Sequence, residues 1–202
     1  MAKNHLQLRR ERYFKLSSHI AQIDNAAMRS LFDDSESSAG WGRNHVLDIG
    51  HTKVFVKRVP VTNLEYDNMF STRNLYDLPT YYNYGVGSAG FGVFRELVTH
   101  IKTTNWVLEG AIATFPLTYH YRIVPFSGAR ADVDMEHHKR YVEYWGNSES
   151  VGRYRLDRAN AGYELVLSLE HMPYTLETWL PGHPNKLPRM LSSLPPRAAC
   201  FL

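Results

Sequence analysis

The chain has 202 residues, of which 44% are hydrophobic and 13% aromatic, and this is enough to bury one globular core. Its net charge of +3 is small, and the basic residues are scattered apart from Arg9, Arg10 and Arg12, which argues against a nucleic-acid partner. A single cysteine, Cys200, excludes an intrachain disulfide and a thiolate metal cluster and fits a reducing compartment. The polar N-terminus and the lack of a long apolar run predict a cytoplasmic protein without a membrane partner.

The first part of the chain predicts helices followed by a β-hairpin. Apolar residues at helical spacing run from Leu6 to Phe32, and Asp24 or Asn25 is placed to cap the second part of that run. Between Asn44 and Val61 the pattern changes to two β-rich runs that flank the short turn Gly50-His51-Thr52. Two such runs joined by a glycine-containing turn predict an antiparallel hairpin.

The second part of the chain predicts one long helix and two further strands. Apolar residues at helical spacing run from Phe91 to Leu108, and Gly110 is placed to end that helix. Strand-forming residues occur from Thr118 to Val124 and again from Leu165 to Leu169, and the second run indicates a buried strand. Five prolines between residues 181 and 202 predict an irregular tail.

Three short motifs in the first half of the chain contain candidate functional residues. Gly40-Trp41-Gly42 precedes the hairpin, and Val54-Phe55-Val56-Lys57 puts a lysine on an apolar strand, with Lys53 on the same face. Phe94-Arg95-Glu96-Leu97 then opens the long helix with an acidic side chain. In this order the motifs resemble the small lobe of serine/threonine protein kinases, and the resemblance covers residues 40–180.

The resemblance implies a role for each motif in binding ATP. Gly40 and Gly42 would let a loop approach the phosphates, Lys57 would hold a charge against the α- and β-phosphates, and Glu96 would pair with Lys57. Glu96 follows Lys57 by 39 residues, a separation that implies an inserted loop rich in Tyr and Asn. The alternatives are a simple linker turn at the glycines, a solvated lysine, and a surface pair between Glu96 and His100.

The segment from Leu165 to Pro173 resembles the kinase hinge, where a hydrophobic strand becomes an extended linker. This resemblance implies that Leu169 lines the back of the pocket. It also implies that the backbone carbonyl of Glu170 accepts a hydrogen bond from adenine and that the backbone N–H of Met172 donates one. Thr175 is placed to cap the short helix that follows. The alternative is an ordinary buried strand that ends at a proline turn.

Catalytic motifs of the kinase family do not follow this hinge. A kinase uses His-Arg-Asp for its general base and Asp-Phe-Gly for Mg²⁺, whereas the 22 residues after Leu180 contain no aspartate or glutamate. Mg²⁺ is expected from the family, but its protein ligands are absent here. We expect a truncated kinase-like chain, or one whose catalytic half is supplied elsewhere. The composition from Leu191 to Leu202 is typical of translation out of frame, and a catalytic loop encoded downstream in another frame would support truncation.

Two other functional interpretations stay open. Gly85-Val86-Gly87-Ser88-Ala89-Gly90 matches the dinucleotide-binding fingerprint, with Glu109 following 19 residues after the last glycine. The mechanism of that fingerprint needs a buried strand before the first glycine, and Leu78 to Tyr84 is polar, aromatic and broken by proline. Alternatively, the chain is a non-enzymatic binding or regulatory module whose exposed inner face is covered by a protein partner.

A metal site is a weaker interpretation still. Its candidate ligands share a charged segment in the second half of the chain: Asp132, Asp134, His137 and His138. The two adjacent histidines point apart on a helix, and no third ligand has a defining spacing. The segment is therefore predicted to be a charged surface.

The predicted fold class is α+β. Residues 1–38 form a helical extension and linker, and residues 39–180 form a kinase-like small lobe and hinge, with a mainly antiparallel sheet and one major helix. Residues 181–202 form the irregular tail.

Overall fold

The computed structural model describes residues 2–33, 43–126, 132–174 and 176–183. The chain divides into two compact units, Met1–His171 and Met172–Leu202. In the first unit a four-stranded antiparallel sheet carries the N-terminal helices on one face and a long helix on the other. The predicted α+β class with an antiparallel sheet is therefore confirmed.

The N-terminal extension consists of two helices, α1 (Ala2–Gln22) and α2 (Asn25–Asp33). Asp24 separates them, and its Oδ1 accepts a hydrogen bond from the backbone N–H of Ala27 at 2.8 Å, which caps α2. The predicted helical run and its internal cap are confirmed. The two helices bury side chains at helical spacing against the sheet: Leu16, Ile20, Met28 and Phe32.

The sheet has the order β1-β2-β4-β3, with every neighbouring pair antiparallel. Gly50 and His51 join the first two strands as a two-residue turn with φ angles of 57° and 61°, the backbone twist that a tight hairpin needs. The strands are β1 (Arg43–Ile49), β2 (Thr52–Val61), β3 (Thr118–Pro125) and β4 (Tyr163–Glu170).

The two faces of the sheet pack against different helices, because successive side chains of a strand point to opposite faces. In β2, Val54 and Val56 join the core beneath α1 and α2. Val59 and Val61 lie on the other face and pack against α5 (Val93–Glu109). The helix α5 ends at Gly110, whose φ of 82° is left-handed, so the predicted long helix and its glycine stop are confirmed.

A third cluster, rich in aromatic side chains, holds the region between β2 and β4 in place. The short helices α3 (Asn63–Asp67) and α4 (Thr80–Asn83) lie in the Tyr/Asn-rich stretch, and α6 (Met135–Tyr144) and α7 (Glu149–Ala159) follow β3. The major helix of this region is α5, and the shorter helices α6 and α7, which the sequence pattern did not predict, also form. The cluster buries Tyr76, Leu78, Tyr82, Trp145, Val151 and Tyr154.

The second unit contains the predicted short helix, α8 (Leu176–Trp179), followed by a 3₁₀ turn at Leu180–Gly182. The predicted cap, Thr175, and residues 184–202 of the predicted tail lie outside the described residues. Within the part of the chain that the structure describes, none of the helices combines the length and the apolar character needed to cross a bilayer.

Candidate functional site

An ion pair joins the sheet to the long helix. The Nζ of Lys57 on β2 lies 2.6 Å from the Oε1 of Glu96 on α5, so the structure brings together the two residues that the sequence places 39 positions apart. Their side chains are 26% and 24% exposed, which leaves both within reach of a ligand. The same carboxylate also lies 3.8 Å from the Nε2 of His100, one helical turn further on.

The position of Lys57 is fixed by the sheet. Its strand is paired on both sides, and Lys57 lies opposite Asn44 of β1 and Leu167 of β4. Alternation along β2 turns Lys57 toward α5 and turns the next residue, Arg58, toward the opposite face. The lysine ammonium is therefore carried by a rigid central strand, which fixes its position.

The position of Glu96 is fixed by the start of α5. Gly92 precedes the helix with a φ of 82°, a left-handed conformation that favours glycine. The backbone N–H of Glu96 donates to the Gly92 carbonyl at 3.1 Å, and that of Val93 donates to the Glu65 carboxylate at 3.3 Å. Glu65 itself forms a capping box with Thr62 at the start of α3, so two short hydrogen-bonded motifs set the beginning of the helix.

The electrostatics of the pair favour the ionised carboxylate. Burial by itself raises the pKa of Glu96, but the neighbouring His100 side chain and the charge and hydrogen bond of Lys57 outweigh it and lower that pKa to about 2. Glu96 is therefore negatively charged at neutral pH, and it holds the Lys57 ammonium in one place.

The pair opens into a cleft of about 190 Å³. Lys57 and Glu96 form one side of it, and the segment from Ser88 to Gly92, together with Arg158 of α7, forms much of the rest. Arg158 is not among the residues that the sequence predicted for the site. The G-x-G-x-x-G pattern of the glycine-rich segment, which matches a dinucleotide fingerprint, is the sequence signal for this wall of the cleft.

The residues predicted to contact adenine have different surroundings. Leu169 is buried on the face that carries α5, opposite Phe55, two positions along β4 from the partner of Lys57. The Glu170 side chain turns to the other face, where its carboxylate forms an ion pair with Arg9 at 2.6 Å. The role of the Glu170 backbone carbonyl stays a prediction.

The remaining predicted site residues are Met172, Gly40 and Gly42. Met172 begins the second compact unit, and its proposed hydrogen bond to adenine stays a prediction. Gly40 and Gly42 lie outside the described residues.

The surroundings of the glycine-rich segment differ from those of a dinucleotide fold. Helix α4, and not a strand, precedes Gly85, and the sheet of the described residues is antiparallel throughout. The strand, glycine loop and helix that would cradle a pyrophosphate in such a fold are therefore not formed there.

One of the metal candidates has a structural role. Asp134 caps α6, with its Oδ1 accepting from the backbone N–H of His137 at 3.0 Å. Among the described residues there is no group of three or more His, Cys, Asp or Glu side chains placed to hold a metal ion.

Comparison with models of protein families, with curated proteins and with solved structures found no match for this chain. The geometry of the Lys57–Glu96 pair and of the cleft around it therefore carries the functional proposal.

Proposed function

We propose that the chain binds ATP as the small lobe of a protein-kinase-like phosphotransferase of the serine/threonine type. The observation that carries this proposal is the 2.6 Å ion pair between Lys57 on a central strand and Glu96 on the helix that packs against it. Protein kinases need a strand lysine and a helix glutamate in that relation for the lysine to grip the nucleotide phosphates.

The order of the elements supports the same proposal. A hairpin carries Lys57, helix α5 carries Glu96, and the buried strand β4 then runs antiparallel to β2 and ends at Glu170. This is the order on which the resemblance to the kinase small lobe was based. In the proposed complex the exposed quarter of the Lys57 side chain meets the α- and β-phosphates, while Glu96 fixes its direction.

The proposed contribution of this chain is nucleotide binding and not the transfer step. Phosphoryl transfer needs a base to orient the acceptor hydroxyl and carboxylates to hold Mg²⁺. The sequence after Leu180, where the kinase family carries these groups, contains no aspartate or glutamate. We therefore expect ATP binding without phosphorylation of a protein by this chain alone.

Calorimetric titration of ATP into the wild type and Lys57→Ala tests the proposal. Loss of one charged hydrogen bond to phosphate removes roughly 1.5–3 kcal/mol, so the affinity of the variant should fall about 10- to 100-fold. Lys53→Ala is the matched control, because Lys53 lies on the same face of β2 and is exposed. The proposal is wrong if the wild type gives no binding heat, or if both lysine variants bind ATP as the wild type does.

A further inference from the structure

One wall of the cleft is not accounted for by the Lys57–Glu96 pair. It is formed by the segment from Ser88 to Gly92 and by Arg158. The volume of the cleft, about 190 Å³, is below the roughly 300–1,000 Å³ of pockets that enclose a whole small-molecule ligand. The cleft thus suits a compact polar group, such as part of a polyphosphate chain, better than a complete nucleotide.

Arg158 brings a second cation to this cleft. Its Nη1 donates to the Oη of Tyr154 at 3.0 Å, and its guanidinium lies 5.5 Å from the centre of the same ring. A guanidinium has five N–H donors, and the remaining four find no acceptor among the described residues. None of the ion pairs within the described part of the chain includes Arg158. A planar, half-buried cation of this kind is suited to bind phosphate oxygens in pairs.

The glycine-rich segment adds neutral donors beside the two cations. The backbone N–H groups of Phe91 and Gly92 have no hydrogen-bond acceptor in the part of the chain that the structure describes. The segment is held firmly, because a Cβ on Gly90 would lie 2.5 Å from the Cδ1 of Tyr82, so only glycine allows the approach. Backbone N–H groups fixed in this way are a common means of binding anions.

We propose that Arg158 and the segment 88–92 bind the polyphosphate chain of ATP together with Lys57. The inference rests on the proposed function and names the part of the ligand that each wall of the cleft contacts. Lys57 supplies one positive charge from the sheet, and Arg158 supplies a second from α7. The glycine-rich segment before α5 then performs the task that the kinase resemblance assigns to Gly40 and Gly42.

Calorimetry on the full chain with three ligands tests this assignment: ATP, inorganic tripolyphosphate and adenosine. Arg158→Gln should weaken the binding of ATP and of tripolyphosphate about tenfold or more and leave the affinity for adenosine unchanged. Arg153→Gln is the matched control, because Arg153 is exposed on the same helix and does not line the cleft. Its affinities for all three ligands should equal those of the wild type.

The outcomes separate this inference from the proposed function. If Lys57→Ala weakens ATP binding while Arg158→Gln leaves it unchanged, the role of Arg158 is overturned and the proposed function stands. If the wild type binds no ATP, both are overturned. A loss of adenosine binding equal to the loss of tripolyphosphate binding also contradicts a role confined to the phosphates.

A second variant covers the case in which Arg158→Gln does not fold, since Arg158 packs on Tyr154. Circular dichroism reports the fold of each variant. Arg158→Lys keeps the positive charge but loses the planar fork of donors, so its affinity for ATP and tripolyphosphate should fall several-fold. Wild-type affinity in a folded Arg158→Lys variant would overturn the inference.

Discussion

Two neighbouring cations on β2 make ion pairs of the same length, of which one is partly exposed and the other buried. Lys57 reaches Glu96 at 2.6 Å on the α5 face, and Arg58 reaches Glu164 at 2.6 Å on the face beneath the N-terminal helices. The side chains of the first pair are 26% and 24% exposed, whereas those of the second are 4% and 3% exposed. Burial, and not distance, distinguishes a pair that a ligand can reach from one that is closed within the fold.

The difference in burial predicts that substitutions at the two ion pairs have different effects. A buried pair has lost its water, so removing one partner leaves an uncompensated charge in the core. A partly exposed pair keeps solvent within reach, so its loss costs the fold little. We therefore expect substitutions at Arg58 to act on the free energy of unfolding, and substitutions at Lys57 to act on ligand affinity.

The largest expected effect is that of Arg58→Ala. The change leaves the Glu164 carboxylate buried without its 2.6 Å partner and should lower the free energy of unfolding by about 3–5 kcal/mol. Urea denaturation, monitored by circular dichroism, measures this change in the free energy of unfolding. The double variant Arg58→Met/Glu164→Leu is the control, because replacing both charges with apolar side chains should recover most of the loss. A loss below about 1 kcal/mol in Arg58→Ala would contradict the structural role of the closed pair.

The next effect is a dependence of stability on pH. The pKa of Glu96 in the fold, about 2, lies below its ordinary value of 4.5, so its contribution is complete above pH 4.5 and is lost as the pH falls toward 2. The advantage of the wild type over Glu96→Gln in free energy of unfolding should therefore shrink by about 1–2 kcal/mol between pH 6 and pH 3. Urea denaturation of both proteins at each pH measures the difference. An advantage that does not change with pH would show that the carboxylate is not held ionised by its partners.

The smallest effect is that of Lys57→Ala on stability without ligand. Because the pair is partly exposed, the free energy of unfolding should fall by only about 0.5–1 kcal/mol. Urea denaturation of Lys57→Ala checks this value. Lys53→Ala is the control, because Lys53 is an exposed lysine on the same face of the strand. A loss as large as that of Arg58→Ala would erase the distinction between the two pairs.

Local sequence patterns were sufficient to predict the hairpin, the long helix and the buried strand. The alternation of Val54 and Val56 with Phe55 and Lys57 is a strand signal that needs no knowledge of the rest of the chain. The partner of Lys57 was chosen by resemblance to kinases, and the structure places the two side chains together in spite of the 39 residues between them.

The helices α6 and α7 were missed because few of their buried positions are aliphatic. The inward positions of α6 include His138, Tyr141 and Trp145, which give a weak hydrophobic signal at helical spacing. The rings of Tyr141 and Trp145 pack on Tyr82 from another part of the chain, a tertiary contact that a local pattern does not contain.

Arg158 was also beyond the reach of sequence reasoning. It is one of three arginines on α7, with Arg153 and Arg155, and only the packing of that helix brings it to the cleft that Lys57 lines. The glycine-rich segment carried a visible pattern, but its position beside Lys57 depends on the aromatic cluster that anchors Gly90 against Tyr82.

Labelling with an acyl-phosphate derivative of ATP tests most directly whether Lys57 contacts the phosphates. A lysine amine held beside the phosphate chain attacks the acyl carbon, forms an amide and releases ATP, and mass spectrometry identifies the lysine that is modified. We predict that Lys57 is labelled, that excess ATP prevents this, and that labelling of exposed Lys53 is slow and insensitive to ATP. Labelling of Lys57 and Lys53 at equal rates, unchanged by ATP, would contradict the proposal that the Lys57–Glu96 pair grips a nucleotide.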